Sequence, residues 1–186
     1  MALTTLDPMS ALIVVDLQKG ITSRPIEGVR EVVDNSARLA DAFRKSGLPV
    51  VLVNVTGMAP GRTEQPRPSL TFDADFAEIE PALGADDSDI RVTKQTWGAF
   101  TGTGLAESLR ARAVTEVVLC GIATTAGVES TARQAHELGF NVALITDAMT
   151  DMSDEGHRRS VELIFPRLGE TGTTGELLAL LDKNGA

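Results

Sequence analysis

The stretch Val117-Val-Leu-Cys120-Gly-Ile-Ala-Thr-Thr125-Ala-Gly127-Val-Glu-Ser-Thr-Ala132 runs from an apolar segment through a turn of small residues into helical spacing. Residues Glu116 to Cys120 read as a strand, and Val128, Ala132, Ala135 and Leu138 share one face of a helix over 125–138 that Gly139 ends. Strand, tight turn and helix N-terminus in succession form a ligand-holding junction in an open α/β sheet. The first helical turn leaves N–H groups unpaired at the positive end of its dipole.

Upstream, Ser10 to Asp16 is a continuous apolar run ending in an acid, which reads as a strand covered on both faces and therefore parallel to its neighbours. Val32, Val33, Leu39, Ala40 and Phe43 give a helix from Val29 that Gly47-Leu48-Pro49 stops, and Val50 to Val55 is a second strand. Pro60, Pro66 and Pro68 make 56–69 a long loop; a weak helix over 72–83 and a third strand, Asp89 to Thr93, follow. Lys94 opens a Gly-rich loop leading to a helix over Leu105 to Arg112.

Downstream, Asn141 to Ile145 reads as strand five, and Ser153 opens a helix to Ile164 with Asp154 and Glu155 in its first turn. A sixth strand over Leu168 to Thr171 precedes a helix from Thr173, which has capping-box spacing with Glu176. This alternation implies a doubly wound parallel sheet with helices on both faces, binding its ligand beyond the carboxyl ends of the strands. Asp16, Lys94 and the 121–127 turn all follow strands, so they share one rim.

A chain of 186 residues fits one domain with one core. It shows no apolar run long enough for a membrane span and no signal-peptide pattern, and its single cysteine suits a reducing cytoplasm. A net charge of −9 disfavours nucleic acid and anionic membranes and leaves a small molecule as the expected partner. An anionic substrate then requires a local cation.

Asp16 alone reads as a strand-end cap and Lys94 as a solvated lysine. Together on one rim they can pair and tune each other's pKa. A third strand two positions from the first would lie roughly 9–10 Å away, so Lys94 has to lean inward. Cys120 continues an apolar strand and reads as a buried hydrophobe, because a reactive thiolate needs a polar, positively biased site. Thr124 and Thr125 read as turn and N-cap residues, one of whose hydroxyls can hold water or ligand. His136 and His157 have no cluster of acids or thiols beside them, so no metal site is expected, and no cofactor. Trp97 and Phe100 read as core, or as an apolar wall that dries the Asp16 site. Arg62 and Arg67, in the Pro-rich loop, are solvated or clamp a substrate carboxylate.

Leu12-Ile-Val-Val-Asp16-Leu-Gln18, Val92-Thr-Lys94 with Trp97-Gly-Ala-Phe100, and Gly121-Ile-Ala-Thr-Thr-Ala-Gly127-Val-Glu-Ser-Thr-Ala132 resemble three ordered motifs of the isochorismatase-like hydrolases. Asp147-Ala148 and His157 also sit where that family places similar residues, so the likeness covers nearly the whole chain. The resemblance implies a three-layer α/β/α sandwich with a six-stranded parallel sheet, and an Asp, Lys, Cys triad in the amide-hydrolysing members. It also implies a non-proline cis peptide between Ile122 and Ala123, and homo-oligomers, dimer or tetramer.

The family's cysteine position is Gly127 here, as in a bacterial subgroup of the family, and the aspartate and histidines of the nicotinamidase metal motif are missing after strand two. An acyl-enzyme needs a nucleophile, which glycine cannot offer. True isochorismatases also lack the cysteine. They cleave a vinyl ether by protonation and water attack. By this resemblance Asp16 is the acid, Lys94 its partner, and Gly127 the space for ligand or water, with Gln18, Ile122, Ala123, Thr124, Trp97, Phe100, Arg62 and Arg67 as substrate-binding candidates. Lys94 lowers the pKa of Asp16 whereas a general acid needs it raised, so burial has to oppose the lysine. A non-catalytic binding protein that kept the fold, and an amidohydrolase with a displaced nucleophile such as Cys120 or a threonine, are the alternatives.

Overall fold

The computed structural model describes residues 3–66, 72 and 74–184, with backbone only at 74 and 184. Strand β1 (Ser10–Val15) is followed by the one-turn helix α1 (Lys19–Thr22), the long helix α2 (Val29–Lys45) and β2 (Val50–Val55). Then come α3 (Ala74–Ala77), a 3₁₀ turn at Pro81–Leu83, β3 (Ile90–Lys94), α4 (Leu105–Arg110) and β4 (Glu116–Ile122). A π-helical turn at Thr124–Val128 leads into α5 (Glu129–Glu137) and β5 (Asn141–Thr150). Helix α6 (Asp154–Arg159) continues as a π turn and a 3₁₀ turn to Arg167, before β6 (Glu170–Gly172) and α7 (Thr174–Asn184).

All six strands are parallel, in the order β3-β2-β1-β4-β5-β6. The period-two alternation of strand side chains divides the core. Leu12, Val14, Leu52, Val118 and Cys120 pack with α2 and α7 on one face, whereas Ile13, Val15, Val53, Val117 and Leu119 pack with α4, α5 and Phe165 on the other. This is the expected three-layer sandwich. The strand order reverses between β1 and β4, the place where such sheets open a crevice.

Several boundaries differ from the sequence expectation. Strand β5 runs five residues beyond Ile145 because a bulge shifts its register against β4: Leu119 faces Leu144, but Gly121 faces Met149. The bulge presents Asp147, whose Oδ1 accepts from Thr174 N at 2.7 Å and caps α7. At the start of that helix Thr173 and Glu176 form the reciprocal box, Thr173 N donating to Glu176 Oε2 and Glu176 N to Thr173 Oγ1. The expected helix over 72–83 shrinks to α3 and the 3₁₀ turn, and Lys94 belongs to the end of β3 rather than to a loop.

Candidate active site

Strand β1 delivers Asp16 to the rim in an unusual backbone state, with φ at 55°. A non-glycine residue in the left-handed region is uncommon and is held by its surroundings. Here Asp16 N donates to Val53 O at 3.0 Å and Asp16 O accepts from Gln18 N at 2.9 Å, which turns the carboxyl over the end of the sheet. Strand β2 separates β1 from β3, and the lysine side chain spans the gap: Lys94 Nζ lies 2.7 Å from Asp16 Oδ2 and donates also to Thr96 O at 3.1 Å. Both residues are buried.

The other carboxyl oxygen, Asp16 Oδ1, is buried and has no hydrogen-bond partner. Burial pushes the Asp16 pKa up to about 6, against the opposing pull of the Lys94 ammonium. Desolvation of the charged form therefore outweighs the ion pair.

Strand β4 delivers the turn beside this pair. Gly121, at φ +119°, stands so close to β1 that a Cβ there would lie 2.0 Å from Val15 O. The Ile122–Ala123 peptide is cis, and Ala123 O then accepts from both Ala126 N and Val128 N at 3.1 Å. Asp151, the residue after β5, anchors the turn by accepting from Thr125 N and Thr125 Oγ1, each at 2.7 Å. An acid at a helix N-terminus is favoured by both the free N–H groups and the dipole. Gly127 completes the turn directly against the pair, since a Cβ on it would lie 3.0 Å from Asp16 Oδ2 and 2.9 Å from Val15 Cγ1.

These groups border a cavity of about 180 Å³. Asp16, Lys94, Ile122, Ala123 and Gly127 line it together. Phe72 and Phe76, stacked edge to face at 5.0 Å, form an apolar wall with Val55 and Met58. Trp97 and Met152, 67% and 69% exposed, stand on its rim. The Trp97 loop is braced from α5: Ala99 N donates to Thr131 Oγ1 at 3.1 Å and Phe100 N to Gln134 Oε1 at 3.0 Å.

Four substrate-binding candidates fall elsewhere. Gln18 is buried and its amide is consumed by backbone, donating to Val55 O and Phe76 O and accepting from Val55 N. It ties α1 and α3 to β2 instead of facing the cavity. Phe100 stacks on Phe140 at 5.9 Å and joins the core beside α5. Thr124 is buried with its Oγ1 2.8 Å from His157 Nδ1 on α6. Arg62 is exposed and outside the cavity lining, and Arg67 lies outside the described residues.

Cys120 packs in the layer under α2, fully buried, and burial pushes its thiol up to about 12. The sulfur is therefore neither in the cavity nor ionised near neutrality, which removes the support for Cys120 as a displaced nucleophile. Among the described residues, no group of three or more His, Cys, Asp or Glu side chains is arranged to hold a metal ion. No helix among them is long and apolar enough to cross a membrane.

Besides the apolar wall, a charged lining residue escaped the sequence reading. Arg24, two residues beyond α1, is half-buried in the cavity wall. No local signal marks it, because only the path of α1 brings it there.

The isochorismatase domain model matches residues 10–176. The isochorismatase family protein YwoC of Bacillus subtilis is 46% identical over 177 residues, spanning 91% of this chain and 92% of its own. The family protein YecD of Escherichia coli O157:H7 is 42% identical over 182 residues, spanning 92% of this chain and 96% of its own. A solved structure of an isochorismatase family protein from Burkholderia thailandensis superposes with a TM-score of 0.92 at 40% identity, covering 96% of this chain and 98% of that one.

Proposed function

The chain belongs to the isochorismatase family, and from that premise we propose that it hydrolyses a small anionic vinyl ether, with Asp16 as general acid and water as the attacking group. The observation that carries this reading is Asp16, a cavity-lining acid whose Oδ1 is buried and unbonded while Lys94 holds Oδ2. A carboxyl with a pKa near 6 keeps a useful protonated fraction close to neutrality.

In this reaction the proton on Oδ1 passes to the terminal CH₂ carbon of the C=C–O group, leaving an oxocarbenium ion beside the new carboxylate. Water adds to the cationic carbon and returns a proton to Asp16. The resulting hemiketal collapses to an alcohol and a ketone, which is pyruvate when the ether carries a carboxylate on that carbon. Lys94 orients the carboxyl and stabilises its ionised form after proton transfer. Gly127 contributes the absence of a side chain: a Cβ there would crowd Asp16 Oδ2 at 3.0 Å and Val15 Cγ1 at 2.9 Å, so glycine lets the acid keep its place beside the cavity.

The test is to incubate the protein with isochorismate and simpler enol ethers and to follow pyruvate release. Asp16→Asn is expected to lower the rate about 10²–10⁴-fold, the usual contribution of a general acid, whereas Cys120→Ala keeps it. Tight binding of an enol ether with no turnover of any of them would overturn hydrolysis in favour of a binding protein. The same reading takes the protein as a homo-oligomer, which light scattering showing a monomer would contradict.

A further inference from the structure

Lys94 Nζ is engaged by Asp16 Oδ2 and Thr96 O in positioning the acid, so holding the charge of an anionic substrate calls for a second cation. In a chain of net charge −9 that task needs a cation inside the cavity that is not already paired. Among the described residues lining the cavity, Arg24 is the remaining cation.

Its position is fixed from both sides. Ser23 N donates to Lys19 O and Arg24 N to Ile21 O, each at 3.1 Å, closing α1, and Gln18 bolts the start of α1 to the backbone of β2 and α3. Gly20 lets Phe76 pack directly on the α1 backbone, since a Cβ there would lie 2.1 Å from the ring. The carbonyl of that same glycine accepts from Arg24 Nε at 3.2 Å. That bond uses the inner N–H of the guanidinium. Among the described residues no bond engages Nη1 or Nη2 and no carboxylate meets them, although several other basic side chains are in ion pairs, such as Arg44 with Asp89 at 2.9 Å. A guanidinium held by one edge with its fork unused is arranged for bidentate capture of a planar carboxylate. The surrounding wall of Ile21, Ile26, Phe72 and Phe76 is apolar, which fits the uncharged body of such a ligand.

We propose that Arg24 is the specificity-determining residue of this cavity, binding the carboxylate of a substrate whose remaining body is compact and apolar. The assignment rests on the hydrolase reading for its substrate but not for its test. Trp97 is the single tryptophan of the chain and borders the cavity, so its fluorescence reports occupancy directly.

The probes are cyclohexanecarboxylate and the isosteric, neutral cyclohexanecarboxamide. The wild type is expected to bind the carboxylate about tenfold more tightly than the amide, the worth of a charge-assisted hydrogen-bond pair. Arg24→Gln should bind the two alike, and Arg62→Gln should behave as wild type. If Arg24→Gln fails to fold, Arg24→Lys, which keeps the charge and loses the fork, should show a weakened preference. Equal binding of both probes by the wild type, no fluorescence response to either at millimolar concentration, or an undiminished preference in both Arg24 variants overturns the assignment. Loss of the preference in Arg24→Gln, with no enol ether hydrolysed by the wild type, leaves Arg24 in its role and removes the hydrolase reading. Hydrolysis by Arg24→Gln at an unchanged KM does the reverse.

Discussion

Lys94 Nζ reaches Asp16 Oδ2 at 2.7 Å across the end of the intervening strand, and Oδ1 is left as the carboxyl oxygen without a hydrogen-bond partner. In the proposed reaction Oδ1 is therefore the oxygen that carries and delivers the proton. If Asp16 must be protonated and its pKa is about 6, kcat/KM for enol ether hydrolysis should be level below that pH and fall about tenfold per unit above it. The same titration reaches stability. The native state keeps a proton from about pH 4 to about pH 6 that the unfolded chain has released, so the contribution of Asp16 is full below this window and lost as pH rises through it. Urea midpoints of wild type minus Asp16→Asn should therefore decline across that window, and a constant difference would contradict the raised pKa.

Gly127→Ala adds a methyl that meets Asp16 Oδ2 at 3.0 Å, Val15 Cγ1 at 2.9 Å and Ile122 O at 3.4 Å, so the two side chains have to shift. The expected cost is about 1–3 kcal/mol of stability. Enol ether turnover should fall about a hundredfold, because the reacting groups are displaced. Gly127→Cys should lose that turnover and gain amidase activity sensitive to alkylation. Full activity in the alanine variant would show that this space is not used.

Gly121→Ala cannot be accommodated in the same way, since its Cβ would lie 2.0 Å from the carbonyl oxygen of Val15 and the residue sits at φ +119°. Backbone cannot swing aside as a side chain can. A loss of about 3 kcal/mol or more in urea denaturation is expected, combining strain with rupture of the β1–β4 seam. An unchanged midpoint would refute the close approach.

Glu116, at the opposite rim, accepts from Asp7 N at 2.7 Å. Burial raises its pKa to about 7, with the Asp7 and Glu170 carboxylates adding to the effect. Its folded pKa exceeds the ordinary 4.5, so its contribution to stability is complete below that pH and lost as pH rises through about 7. Glu116→Gln should flatten this part of the pH–stability curve between pH 5 and 8. A wild-type curve that the substitution leaves unchanged would rule the effect out.

The strands were legible in the sequence as local apolar patterns, and Asp16 and Lys94 because each follows one of them, whereas Gly127 stood out only through the resemblance to the isochorismatase-like hydrolases. What the sequence left hidden depends on where distant segments arrive. Strand β5 outlasts its apolar pattern because the bulge at Asp147 breaks the two-residue alternation. Helix α1 is a single turn, too short for a helical period, yet it carries Arg24 to the cavity. Gln18 and Phe100 lie within the recognised motifs, but one is spent on backbone hydrogen bonds and the other on Phe140. Motif membership marked their neighbourhood without telling bracing from binding.

The missing side chain at Gly127 also has a genetic meaning. Glycine and cysteine codons can differ by a single base, and the vacant Cβ position lies 3.0 Å from Asp16 Oδ2, against a carboxyl and an ammonium already in place. Under the proposed reading, one point mutation separates a pocket suited to hydrating an activated double bond from one equipped to acylate a thiol. The crossing carries a structural cost, because the new Cβ has to displace Asp16 Oδ2 and Val15 Cγ1.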